Sequence, residues 1–151
     1  MEQLDGLLKN MQVFLPYPNY EKSVSVLDKK RLGNQIYREC LTLIRGGWSN
    51  HPCSKMWFPK YTHSLARYAL CGLDELKLRG LDYPHHRKTF LDILHNSPDT
   101  GAPPWLGDDK FHASHRRALL YKNKEWYSQF GWTEEPDVPN EDGKLNYVWP
   151  V

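Results

Sequence analysis

Residues Ser25–Trp48 read SVLDKKRLGNQIYRECLTLIRGGW, and this stretch decides the fold class. At about 100° per residue, Leu32, Ile36, Tyr37, Cys40, Leu41, Leu43 and Ile44 fall in one broad apolar arc, the pattern of an amphipathic helix. Asp28, Arg31, Gln35, Arg38, Glu39 and Thr42 form a stripe along one flank of that arc. Ser25 and Asp28 fit a capping box at its start, and Gly46-Gly47 supplies its stop. The polar stripe admits two readings. One is a salt-bridged solvent boundary, as on many surface helices. The other is the edge of a site where a carboxylate stands beside guanidinium groups.

Working outward, Met11–Tyr20 (MQVFLPYPNY) carries two prolines among aromatics, which predicts an extended segment packed onto the core rather than a sheet strand. Residues 1–10 read as an N-terminal extension with slight helical character. Beyond the helix, GWSNHPCSKMWFPKY (47–61) is a loop dense in groups that stack or donate, among them Trp48, Asn50, His51, Trp57 and Tyr61. A second long helix is predicted from Thr62 to Arg79, with Leu65, Ala69, Gly72 and Leu76 inward and Gly80 just past its end. Pro84 opens a third helix ending near His95, with Phe90, Leu91 and Leu94 inward. After the turn-rich DTGAPPWLGD (99–108), Asp108 or Asp109 caps a fourth helix. Phe111, His115, Ala118 and Leu119 face its core side, and His112, Arg116 and Arg117 lie nearer its edge. EWYSQFGW (125–132) closes the core as an aromatic turn. Residues 133–151 form an acidic, proline-containing tail whose LNYVWPV end docks as an extended segment. No run alternates like a strand between hairpin turns. The expected fold is all-α: a compact single-domain helical bundle with long loops and an extended C-terminal tail, its domain spanning residues 11–132.

Composition narrows the function classes. Six Trp, nine Tyr and five Phe in 151 residues give enough apolar area for a folded core. No apolar run approaches the roughly 18 residues of a membrane span, and no secretory signal pattern opens the chain, so the expected location is cytoplasmic, with no membrane partner. Three cysteines without a CxxC pair suggest reduced, structural thiols. The formal charge of +2 hides an asymmetry: residues 132–151 hold five acidic groups and one basic one, which leaves about +6 on the rest. That permits an anionic partner without requiring one. His85 and His86 are adjacent and cannot chelate from one helical face, and His112 with His115 lacks a third ligand, so no metal is expected. Neither GxxxxGK[ST] nor GxGxxG occurs, which argues against the common nucleotide sites. The polar stripe, the aromatic loop and the basic edge of the fourth helix suit chemistry on a DNA base. Phosphates need Arg and Lys, and an extruded base needs aromatic walls and polar edges.

Several segments in order carry a resemblance: MQVFLPYPNY, VLDKKRLGNQ, GWSNHPCSKMW, PPWLGDDKFHASHRRALL and YVWP. With Tyr37-Arg38-Glu39, LDELKLRG and HASHRRALLYKNKEWYSQFG, they make Met11–Trp132, about four fifths of the chain, resemble the pyrimidine-dimer DNA glycosylases of the phage endonuclease V type. The likeness is nearest to bacterial and phage relatives of that group. The resemblance implies a monomeric helical enzyme acting on duplex DNA with a damaged or modified base, with neither metal nor cofactor. A free α-amine would attack C1′, a glutamate would assist, and a Schiff base and β-elimination would follow. An α-amine has a pKa of about 7.7–8.0, so part of it is neutral near pH 7.

Carried onto this chain, Glu39 is the carboxylate, and Met11 or Gln12 marks the amine. Arg31, Gln35, Arg38, Asn50, His51, Trp57, His112, His115 and Arg116 are the candidate DNA contacts. Two departures accompany the likeness. Ten residues precede Met11, so with a start at Met1 the amine would have to come from Lys29 or Lys30, or the lyase step would be absent. The Leu32–Glu39 spacing is also one residue longer than in the family. A one-residue slip turns a side chain by about 100°, which would put Arg38 at the pertinent position. The alternative function is a non-catalytic module gripping nucleic acid or a free nucleotide on the same scaffold.

Overall fold

The computed structural model describes residues 11–150, so the expected extension at residues 1–10 lies outside the described residues. All regular elements among them are helical. They are α1 (Tyr20–Ser25), α2 (Lys29–Asn34), a π-helical turn (Gln35–Cys40), α3 (Leu41–Ile44), α4 (Pro52–Trp57), α5 (Thr62–Leu78), α6 (Pro84–Asn96), α7 (Asp109–Lys122), α8 (Lys124–Tyr127) and a 3₁₀ turn (Ser128–Phe130). The all-α reading holds.

The axis of the fold is α5. Leu65, Ala66, Ala69, Leu73 and Leu76 are buried along one side of it, and α1, α6 and the π turn pack around it. Gly72 is required where the π turn crosses, since a Cβ there would overlap the side chain of Ile36. On α6, Phe90 is buried, but Leu91 is exposed and not inward as expected; Ile93 and Leu94 take the partly buried positions.

The opening stretch is not one helix from Ser25. Ser25 ends α1, and its hydroxyl bonds back to the Lys22 carbonyl (2.7 Å). Asp28 occupies the N-cap position of α2 without capping it. Its carboxylate instead accepts hydrogen bonds from Tyr127 (2.6 Å), Arg31 (3.0 Å) and Asn123 (3.3 Å), tying the start of α2 to α8.

The extended segment at Met11–Leu15 sits in the core with no neighbouring strand to satisfy its backbone. Side chains do so instead. Phe14 N–H donates to Gln35 Oε1 (2.6 Å), and Phe14 O accepts from Tyr68 Oη (2.7 Å). Leu15 N–H donates to His115 Nδ1 (2.8 Å), and Leu15 O pairs with His112 Nδ1 (2.7 Å). Buried backbone groups left without partners are costly, so these four contacts hold the segment in place. The C-terminal segment docks as expected, with Leu145 and Tyr147 buried.

Candidate active site

The four contacts on the extended segment reassign three candidate DNA contacts. Gln35, His112 and His115 are buried, at 1%, 2% and 0% exposure, and are occupied by the main chain of Phe14 and Leu15. His112 was expected near the edge of its helix; its Nε2 instead accepts from Gly107 N–H (2.9 Å) in the interior. Burial, with His112 and Arg116 nearby, pushes the His115 pKa down to about 3. Its imidazole is therefore neutral, as an acceptor Nδ1 requires. Trp57 is likewise a core residue, 0% exposed and edge-on to Trp105 with centroids 5.2 Å apart. Arg116 is held by two bonds to Glu134 (2.8 and 2.9 Å) and donates to Pro16 O (2.7 Å). None of these five offers a free group to a nucleic acid.

A different set converges around the π turn. A π turn holds more residues per turn than an α-helix, so it takes up an extra residue without breaking the ladder. The turn at Gln35–Cys40 lies between Leu32 and Glu39, where the chain has one residue more than the family spacing. Its outcome is that Ile36 and Cys40 stay in the core, Arg38 is exposed and Glu39 is half-buried. The carboxylate has neither a hydrogen bond nor an ion pair among the described residues. Burial raises its pKa to about 7, against a partial pull from Lys122 and Arg38.

Lys122, the last residue of α7, is the counterpart. It is half-buried and makes no ion pair among the described residues. Burial and the charge of Arg31 push its pKa down, while Glu39 draws it back up. Behind Glu39, burial pushes the Cys53 thiol and the Tyr147 hydroxyl up, and the Glu39 charge adds to both. Cys53 Sγ lies 3.7 Å from Gln12 Oε1. Met11 and Gln12 are thus buried on the Cys53 side of the carboxylate. Gln12 Nε2 and Tyr147 Oη are buried and donate to nothing in the protein.

Tyr147 leads outward to a cleft. Its ring meets Trp149 (5.5 Å between centroids), and Trp149 meets His51 edge-on (5.7 Å). A cleft of about 650 Å³ is lined by Trp48, Asn50, His51, Lys144 and Trp149, among others, a size suited to a small organic group. His51 Nδ1 accepts from Cys53 N–H (3.0 Å) and so caps α4, which fixes its ring at the cleft wall. Trp48 holds φ at 58°, a conformation that a bulky residue rarely adopts and that tends to mark functional sites. On the other side, Arg31 is engaged by Asp28 (3.0 Å), and Lys29 and Lys30 stand exposed.

The structure therefore groups Met11, Gln12, Glu39, Asn50 and His51 with Arg31 and Arg38 at the rim. It adds Lys122, Lys144, Tyr147, Trp48 and Trp149, which sequence reasoning did not name as site residues. The YVWP segment carried a signal for two of them; a lone lysine at a helix end carried none. Among the described residues, no three His, Cys, Asp or Glu side chains come together to hold a metal ion, and no helix is long and apolar enough to cross a membrane.

No curated protein and no solved structure matches the chain. A family model described as pyrimidine dimer DNA glycosylase matches residues 11–91, which include the extended segment, the π turn with Glu39, the aromatic loop and α5. On that match, covering more than half its length, the chain belongs to the pyrimidine dimer DNA glycosylase family.

Proposed function

We propose that the protein is a DNA glycosylase that excises a damaged or modified base and nicks the strand through a lyase step, with Glu39 as its catalytic carboxylate. The observation that carries this reading is the π turn, which leaves Glu39 half-buried and unpaired between Lys122 and the Tyr147–Trp149 cleft. Breaking an N-glycosidic bond builds positive charge at C1′. A carboxylate in a partly desolvated site stabilises that charge more strongly than one in water. With a raised pKa, the same group is basic enough to take a proton from an attacking amine.

The cleft supplies what an extruded base needs. Trp48 and Trp149 give stacking walls, and Asn50 and His51 give polar edges. Arg38, Lys29, Lys30 and Lys144 are exposed cations around it that suit backbone phosphates. The extended segment brings the Met11–Gln12 position, where the family resemblance places the amine, to the same side.

The test is base release from duplexes carrying a panel of lesions, beginning with a pyrimidine dimer. Chains started at Met1 and at Met11 are compared with Glu39→Gln in each. Wild type releases a base, and Glu39→Gln loses about 10²–10⁴-fold in rate, the range of a positioned acid–base group. Binding that survives Glu39→Gln, with a phosphate-type salt slope and no base release by wild type, establishes a binding module instead.

A further inference from the structure

The amine of the lyase step is the open chemical question of this site. We propose that the ε-amine of Lys122, at the end of α7 and facing Glu39, is the nucleophile that attacks C1′ and carries the strand-nicking step. The inference rests on the glycosylase reading above.

Three observations support it. Lys122 and Glu39 influence each other, yet neither is tied up: the pair makes no ion pair, and neither group has a hydrogen bond among the described residues. The other carboxylate facing Lys122 is Asp28, which is already occupied by Tyr127, Arg31 and Asn123. The amine is therefore left between one free carboxylate and two cations, Arg31 and Lys30. Burial and those cations favour the neutral form, which is the nucleophilic one. Finally, Lys122 directly precedes Asn123 at a groove of about 590 Å³ lined by Asp28, Lys29, Lys30, Gly33, Asn123 and Trp126. A backbone drawn to Lys29 and Lys30 in that groove would pass its sugar close to the Lys122 amine.

The step balances on groups already named together with water. The Nζ lone pair forms the bond to C1′, and the C1′–base bond breaks with its electrons on the base, which takes a proton from water. Glu39 accepts a proton from the substituted amine and passes it to O4′ as the C1′–O4′ bond opens, giving the iminium. Loss of the C2′ proton to the regenerated carboxylate expels the 3′ phosphate with its electron pair, and water then hydrolyses the imine.

The experiment is borohydride trapping of the full chain on two duplexes, one with a single abasic site and one with a pyrimidine dimer, followed by peptide mapping of the adduct. The expected adduct is on Lys122. Lys122→Met and Lys122→Arg, checked for folding by their melting curves, then trap at least about tenfold less. An adduct on the N-terminal residue, on Lys29 or on Lys30 overturns the assignment. So does base release without any adduct, an outcome that leaves the glycosylase reading standing. Neither adduct nor base release by wild type overturns both.

Discussion

Two pairs of opposite charge lie half-buried in this molecule and are treated in opposite ways. Arg116 and Glu134 are closed by two hydrogen bonds at 2.8 and 2.9 Å, and the arginine spends its remaining capacity on Pro16 O. Glu39 and Lys122 face each other without closing. Their pKa shifts show the same contrast. The bonds from Arg116 outweigh burial and hold the Glu134 carboxyl below the usual range. Burial wins at Glu39 and lifts it to about 7. A satisfied pair fixes the chain, here the start of the tail against α7. An unsatisfied pair destabilises the fold slightly and keeps its charges available for a substrate.

Breaking the satisfied side carries the largest expected stability effect. Asp28, tied to Tyr127, Arg31 and Asn123, is a stronger case than Glu134 because it is only 6% exposed. Asp28→Asn is expected to cost about 2–3 kcal/mol, the range for unpairing a buried charge, read from urea unfolding at pH 7. Burial would raise this carboxyl, but the Tyr127 bond and Arg31 outweigh it and lower its pKa. Its contribution is therefore present above the unfolded value of 3.8 and is lost as pH falls below it. His115 acts earlier on the same side. Its folded pKa is about 3 against 6.5 unfolded, so wild-type stability declines as pH drops below 6.5.

Glu39 reverses the sign. Its folded pKa is raised, so the folded state binds more protons between 4.5 and about 7, and stability falls as pH rises through that window. Glu39→Gln should therefore stabilise the protein by about 1–2 kcal/mol at pH 8, after allowance for solvent screening, and by little at pH 4. Loss of stability in this variant at pH 8 would mean that Glu39 is a closed structural group like Glu134. The smallest effect is expected at Glu134→Gln. Removing one charge from that pair should cost about 1 kcal/mol, because both side chains are partly solvated.

The two regions also differ in how well the sequence announces them. Helix α5 follows its periodicity closely: Leu65, Ala69, Gly72 and Leu76 are buried as spaced, and Gly80 follows its end with φ 92°. The π turn could not be read from periodicity, because a 3.6-residue repeat assumes a regular helix. What was visible was its symptom, one residue too many between Leu32 and Glu39. The polar residues Gln35, His112 and His115 misled for a related reason. Hydropathy places them at a solvent edge, whereas an extended segment with no sheet around it needs side-chain partners in the core. Trp57 is ambiguous by nature, since the same ring suits a core or a base stack. Lys122 became a site residue only when α7 was laid across the π turn, a long-range contact that no local pattern encodes.

The central claim is that Glu39, held open beside Lys122, is the group on which base release depends. Its most direct test is the pH–rate profile of single-turnover base release from a pyrimidine-dimer duplex, for wild type and Glu39→Gln. The account predicts a wild-type rate that rises as the carboxyl ionises through about pH 7, and a variant slower by about 10²–10⁴-fold with that limb gone. A Glu39→Gln protein that releases the base at the wild-type rate, with the same limb, contradicts it.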